Sequence, residues 1–346
     1  LSDAELLEIV LRDDVTPNLD AMMIAWANMT PQEREAAHKE GEKQGHNKAA
    51  ARELASRRWG GKLPEELKGL AELLRTAVSQ APDAEMQASM LSQAVFIFPA
   101  PITIPPIVEA LDSMQHLHEM ETATRALGNA LNSNGGQGVT NELRAIVAEA
   151  IARAYPRMKQ AIIDGENPIH GFIPLNEVVF IFGQCGAPGL DAINRLGLSS
   201  GTSLDARAMI NTPEAIAQIV DAYHRADSDN VRESCVRALA QHRIGQYDPP
   251  VQDLLREEVG RMLVDDDPFR RECGANYAMG LGEPAFEAQL KLLAEGDPHM
   301  IVRDLGGLNP ETMETTSKPT EVYPVREAAA AALEAYNRRN AKDPKS

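Results

Sequence analysis

A chain of 346 residues, 43% of them hydrophobic, can bury a real core, which excludes global disorder. Its 51 Asp and Glu against 34 Lys and Arg give a formal charge of −17, and a field of that sign excludes a broad nucleic-acid-binding surface, which needs clustered cations. Aromatics make up only 4% and the apolar residues are mostly Ala, Leu, Ile, Val and Met, the palette of close-packed helices.

Residues 1–63 read as a helical N-terminal cap. Ser2 with Glu5 makes a capping-box pattern, and Thr16-Pro17 and Thr30-Pro31 each place a hydroxyl before a proline, the signature of a helix start. Residues 34–62 hold eight Lys/Arg against four Glu, a local basic run whose simplest reading is a solvated helical face. The chain begins with Leu1, so a fragment or a processed form is expected. A removed signal peptide stays open, and the cytoplasm is slightly favoured as the compartment. No stretch approaches the ~20 apolar residues of a membrane span.

Residues 64–211 are predicted to be irregular helical repeats. Leu67, Leu70, Leu74 and Val78 recur at helical spacing, and Thr124 to Leu131 reads as another helix. Val95-Phe-Ile-Phe98 recurs as Val179-Phe-Ile-Phe182. The glycine-rich stretch Asn134 to Gly138 lacks the Lys of a phosphate-binding loop and reads as a helix C-cap and turn. No run shows the period of two that marks a strand, so helix is expected throughout.

Residues 212–340 repeat more regularly, before a tail at 341–346. Thr212-Pro213 marks a helix start. Asp229-Asn-Val-Arg232-Glu-Ser-Cys235 aligns with Asp267-Pro-Phe-Arg270-Arg-Glu-Cys273 at an offset of 38, and a third copy begins at Tyr323-Pro-Val-Arg326. The stripes Val231, Cys235, Leu239; Phe269, Cys273, Tyr277; and Val325, Ala329, Leu333 each fall near one helix face and are expected to be buried.

These residues resemble HEAT repeats. The resemblance is good over roughly 212–340, weaker upstream, and implies an all-α fold, an α-solenoid of helix pairs with loop and helix insertions. Asp229, Arg232, Asp267, Arg270 and Arg326 match the family's repeat-stacking positions; Tyr323 departs from its Asp, which puts the Asp–Arg ladder in doubt there. Ala278 to Phe286 looks like the family's turn between repeats.

Second helices are expected near residues 84, 118, 175, 230, 268 and 324. Wide gaps place insertions at 154–173, 197–211 and 297–322, along one edge, where binding residues of repeat arrays concentrate. Candidate partner-binding residues are therefore His170, Phe172, His299, Arg303 and Asp304.

Three cysteines without C-x-x-C spacing make neither a disulfide framework nor a zinc site, and the matching Cys235 and Cys273 are expected to be buried free thiols. One HEAT-repeat enzyme family, deoxyhypusine hydroxylase, holds irons through several His-Glu pairs; here only His118-Glu119 exists, so no metal or cofactor is expected. No catalytic motif stands out. The functional expectation is a protein-interaction scaffold that binds a protein or peptide, basic by complementarity, through its concave face and insertion loops. The alternative is an enzyme or enzyme-assisting module whose site is assembled from those loops.

Overall fold

The computed structural model describes Leu11 and residues 68–96, 98–132, 138–167, 174–304 and 318–342. The cap over 1–63, apart from Leu11, and the basic run lie outside the described residues, as do His170 and Phe172. Among the described residues the protein is all-helical, with 14 α-helices packed against their neighbours and little strand. No described helix is long and apolar enough to cross a membrane. The chain forms two compact units, Leu1–Leu198 and Ser199–Ser346.

The first unit contains α1 (Lys68–Ser79), α2 (Ala84–Ala94), α3 (Ala100–Ser113), α4 (Leu117–Asn132), α5 (Asn141–Ile163), α6 (Pro174–Cys185) and α7 (Ala187–Arg195). Local chemistry sets the starts: the Asp83 carboxylate accepts from Met86 N at 2.8 Å, and the Thr140 hydroxyl from Leu143 N at 3.2 Å. Glu119 reaches back to the backbone N–H of His116, and Glu166, beyond α5, accepts from Leu117 N at 2.7 Å, so two carboxylates cap α4. That same bond puts the end of α5 at the start of α4. Arg144, at the start of α5, donates to the carbonyl of Gln184 at the end of α6. α4 and α6 therefore run one way and α5 the other. Packing forms two rows, α2–α4–α6 and α3–α5–α7.

The second unit contains α8 (Gly201–Ile210), α9 (Pro213–Arg225), α10 (Asp229–Leu239), a short 3-10 turn, α11 (Pro249–Leu263), α12 (Pro268–Leu281), a second 3-10 turn, α13 (Glu287–Gly296), β1 (Ile301–Asp304), β2 (Pro319–Val322) and α14 (Pro324–Lys342). The Thr212 hydroxyl accepts from Ala215 N with Pro213 in the first turn, as the sequence signals. Helices pair as α9 with α10, α11 with α12, and α13 with α14 around one core that includes Leu239, Leu255, Val259, Leu263, Leu281 and Val325. The unit boundary falls before α8, whereas the change in repeat regularity read from the sequence falls after it.

The six expected helix starts match α2, α4, α6, α10, α12 and α14 to within one residue. Three expectations need correction. Residues 297–322 are not free of strand: β1 and β2 pair antiparallel, Ile301 with Val322 through Asp304 with Pro319. Four-residue strands are too short to register as alternation. The first residues of two predicted stripes are not buried, since Val231 and Phe269 are exposed, Phe269 by 64%. An i, i+4, i+8 series drifts round the helix by about 40° per step, so its first and last residues need not share one buried face. Finally, 154–163 continues α5 and 201–210 is α8, so two of the three insertions contain ordinary helix. The turn expected over 278–286 begins at Gly282, whose φ of 64° ends α12 in a left-handed cap.

Candidate functional site

Of the five candidate partner-binding residues, His299, Arg303 and Asp304 are described, and all three lie between α13 and the far end of β1. His299 is half-buried and donates its backbone N–H to Asp297 at 3.0 Å. Arg303 and Asp304 are exposed, and Asp304 accepts from Lys318 N at 2.7 Å, which closes the described end of the hairpin. The bonds of His299 and Asp304 are local to the hairpin.

What anchors the hairpin is Asp297, which no sequence signal singles out. It is buried beneath the start of the hairpin. Arg271 of α12 meets it with two hydrogen bonds, at 2.6 and 3.2 Å, and also donates to the carbonyls of Asp265 and Asp266. Arg326 of α14 donates to the Asp297 carbonyl at 2.6 Å while its guanidinium lies 4.3 Å over the Tyr323 ring. Burial of the Asp297 carboxyl works to raise its pKa; the Arg271 hydrogen bonds and the His299 N–H outweigh it and hold the carboxyl below its ordinary value.

The residues matched to the repeat pattern occupy the same kind of position. Arg232 bonds Asp229 at 3.0 Å and the Ala226 carbonyl at 2.9 Å. Asp267 caps α12 through Phe269 N. Arg270 pairs with Asp265 only at 3.4 Å, and its buried Nε has no hydrogen-bond partner. It is Arg271 that reproduces the bonding of Arg232: each donates to the carbonyl six residues before it. The repeat register is thus 39 residues rather than 38. Burial agrees, since Cys235, Val236 and Leu239 on α10 correspond to Gly274, Ala275 and Ala278 on α12.

In the first unit the exposed side of the α2–α4–α6 row is held together by polar bridges. His118 lies 3.7 Å from Glu85 of α2, and Arg125 grips Glu177 of α6 at 3.0 and 3.1 Å. The Glu177 hydrogen bonds, opposed by burial, raise the Arg125 pKa. Phe96 and Phe180, the second residues of the two Val-Phe-Ile-Phe repeats, are 64% and 46% exposed. Their flanking Val95, Phe98, Val179 and Phe182 are buried, so the recurrence encodes the same burial twice. Phe180 follows Glu177, and Asn129 follows Arg125, by about one helical turn, so Phe180 and Asn129 lie at similar heights on α6 and α4. Phe96 lies in the turn just beyond the end of α2. At ~8–10 Å between neighbouring axes, α2 and α6 lie roughly 16–20 Å apart across the row. Gly128 permits the close approach of α6, since a Cβ there would meet Ile181 at 3.0 Å.

Where α8, α10 and α12 meet, Arg237 pairs with Asp205 at 2.9 Å, near Glu233, Cys273 and Tyr277. Burial raises the Cys273 thiol and the Tyr277 hydroxyl, with Glu233 adding to both. Both stay protonated at neutral pH, the wrong state for a nucleophile. Cys185 and Cys235 are buried and free, their thiols pushed by burial to about 12 and about 11. Cys273 is half-buried, a correction to the expectation that it is buried like Cys235. His116 precedes α4, and its ring stacks on that of His118 with centroids 6.1 Å apart. Among the described residues no group of three or more His, Cys, Asp or Glu is placed to hold a metal ion. The chain matches no family model, no curated protein and no solved structure.

Proposed function

We propose that the chain is a HEAT-like solenoid of helix pairs that binds a protein or peptide partner, with the exposed side of α2–α4–α6 as its principal contact. The observation that carries this reading is the pair of exposed phenylalanines, Phe180 on α6 and Phe96 just beyond the end of α2, each the second residue of the same tetrapeptide. A soluble protein exposes single hydrophobic residues freely, but two aromatic rings exposed at the same place in a recurring tetrapeptide have the form of interface anchors. The polar side chains between them suit an extended chain. Asn129 offers both donor and acceptor, as a peptide backbone does. At ~3.3 Å per residue, a strand spanning roughly 16–20 Å would present apolar side chains about five or six residues apart.

The solenoid itself is supported by the pairing of helices within each unit and by the repeated arginine-to-carbonyl bonds of Arg232 and Arg271. The reading is tested by affinity capture from the native source with the intact protein and with Phe96→Ser/Phe180→Ser. Partners retained by the first and lost by the second are expected. Identical capture by both would remove this face from the binding role.

A further inference from the structure

We propose that a second surface, the edge of the Ser199–Ser346 unit where α9 turns into α10, α11 into α12 and α13 into the hairpin, docks a basic, apolar-containing segment of a partner protein. The proposal rests on the protein-binding reading above and extends it to a site with a stated partner chemistry.

The three turns are held side by side. Tyr223, near the end of α9, donates to Glu258 of α11 at 2.7 Å, and Arg271 at the start of α12 grips Asp297 at the end of α13. Six large hydrophobic residues are exposed among the described residues of this unit, and five of them lie on this edge. Val231 sits in the first turn of α10, Val264 at the end of α11, Phe269 in the first turn of α12, and Met300 and Val302 at the start of the hairpin; only Leu292 lies elsewhere. Such clustering at successive turns is what scattered surface hydrophobics do not show.

Charge decides the partner. The cations of the turns are committed: Arg232 to Asp229, Arg270 to Asp265, Arg271 to Asp297. Asp227 and Asp266 are exposed and make no ion pair among the described residues, so the edge keeps a negative surplus beside its apolar row. Arg303 directly follows Val302 and is the exposed cation nearest the apolar row, and Lys318 lies at the far end of the hairpin. An anionic apolar strip complements Lys or Arg interspersed with Leu or Phe, and repels nucleic acid and anionic membranes.

The test titrates a fluorescent synthetic peptide alternating Lys and Leu against the whole chain and four variants. Phe269→Ser, which changes no charge, should weaken binding about tenfold, the loss of one well-buried apolar anchor. Asp227→Lys/Asp266→Lys should weaken it similarly and reduce its salt sensitivity. The equal charge change Asp248→Lys/Glu287→Lys, at the opposite ends of α11 and α13, should matter much less. No binding, wild-type affinity in Phe269→Ser, or equal loss from the two charge swaps overturns the proposal, as does binding of phosphatidylserine vesicles by the same edge. Loss in Phe96→Ser/Phe180→Ser alone would overturn the edge and leave the first-unit reading standing; loss in Phe269→Ser alone would support the edge even where that reading fails.

Discussion

Arg270 and Arg271 are neighbours with opposite environments, and the difference makes a residue-scale prediction. Arg271→Ala would strand a buried carboxylate and two backbone carbonyls, a loss of about 3 kcal/mol. Arg270→Ala gives up one long ion pair and should cost about 1 kcal/mol or less. Denaturant melts of the two variants check this, and equal losses would return the register to 38. Asp297 adds a pH dependence. Its folded pKa is depressed, so its stabilising contribution is complete above the unfolded aspartate pKa, near about 3.9, and disappears as pH falls through the lower folded value. The stability gap between the wild type and Asp297→Asn should therefore be constant near neutral pH and close in acid. A gap that does not change with pH would mean the carboxyl is not held ionised by Arg271. The sequence could not separate the two arginines, because an Arg-Arg doublet after a run of aspartates aligns equally well at either offset. Only the carbonyl that each one reaches distinguishes them.

At the scale of elements, helix starts were legible because Thr, Asp and Pro at caps act within a few residues, and periodic apolar stripes need only local spacing. The hairpin was not, since its stability comes from pairing across a long connection rather than from composition. Replacing residues 304–321 with a short Gly/Ser linker should remove the sheet and leave the helical circular-dichroism signal intact, because the Asp297–Arg271 anchor lies outside the replaced segment. Collapse of the helical signal would make the hairpin part of the core. Packing between α12 and α10 is less forgiving. A Cβ at Gly280 would lie 2.1 Å from the Ala240 carbonyl oxygen, a backbone atom that cannot swing away. Gly280→Ala should cost about 1–3 kcal/mol or more, measurable as a lowered Tm. An unchanged Tm would mean that the two helices separate freely.

For the molecule as a whole, composition pointed correctly to packed helices and against a membrane-spanning helix, while function had to come from surfaces that no motif marks. The Val-Phe-Ile-Phe recurrence was visible in the sequence as a repeat signal; that its second residue faces solvent while the flanking residues pack inside depends on how α2 and α6 sit against the rest of their unit. The thiols offer a check on that packing. Cys273 should react first with a thiol reagent and Cys185 and Cys235 only on unfolding, since both are buried with raised pKa values. Fast labelling of all three in the native protein would show a looser interior. The binding face itself is tested most directly by placing a photo-crosslinking phenylalanine analogue at position 96 or 180, with positions 146 and 292 as exposed apolar controls. Partner protein crosslinked from 96 and 180 but not from the control positions is the predicted result. Crosslinking from the controls alone, or from none of the four, would contradict a partner bound across α2, α4 and α6.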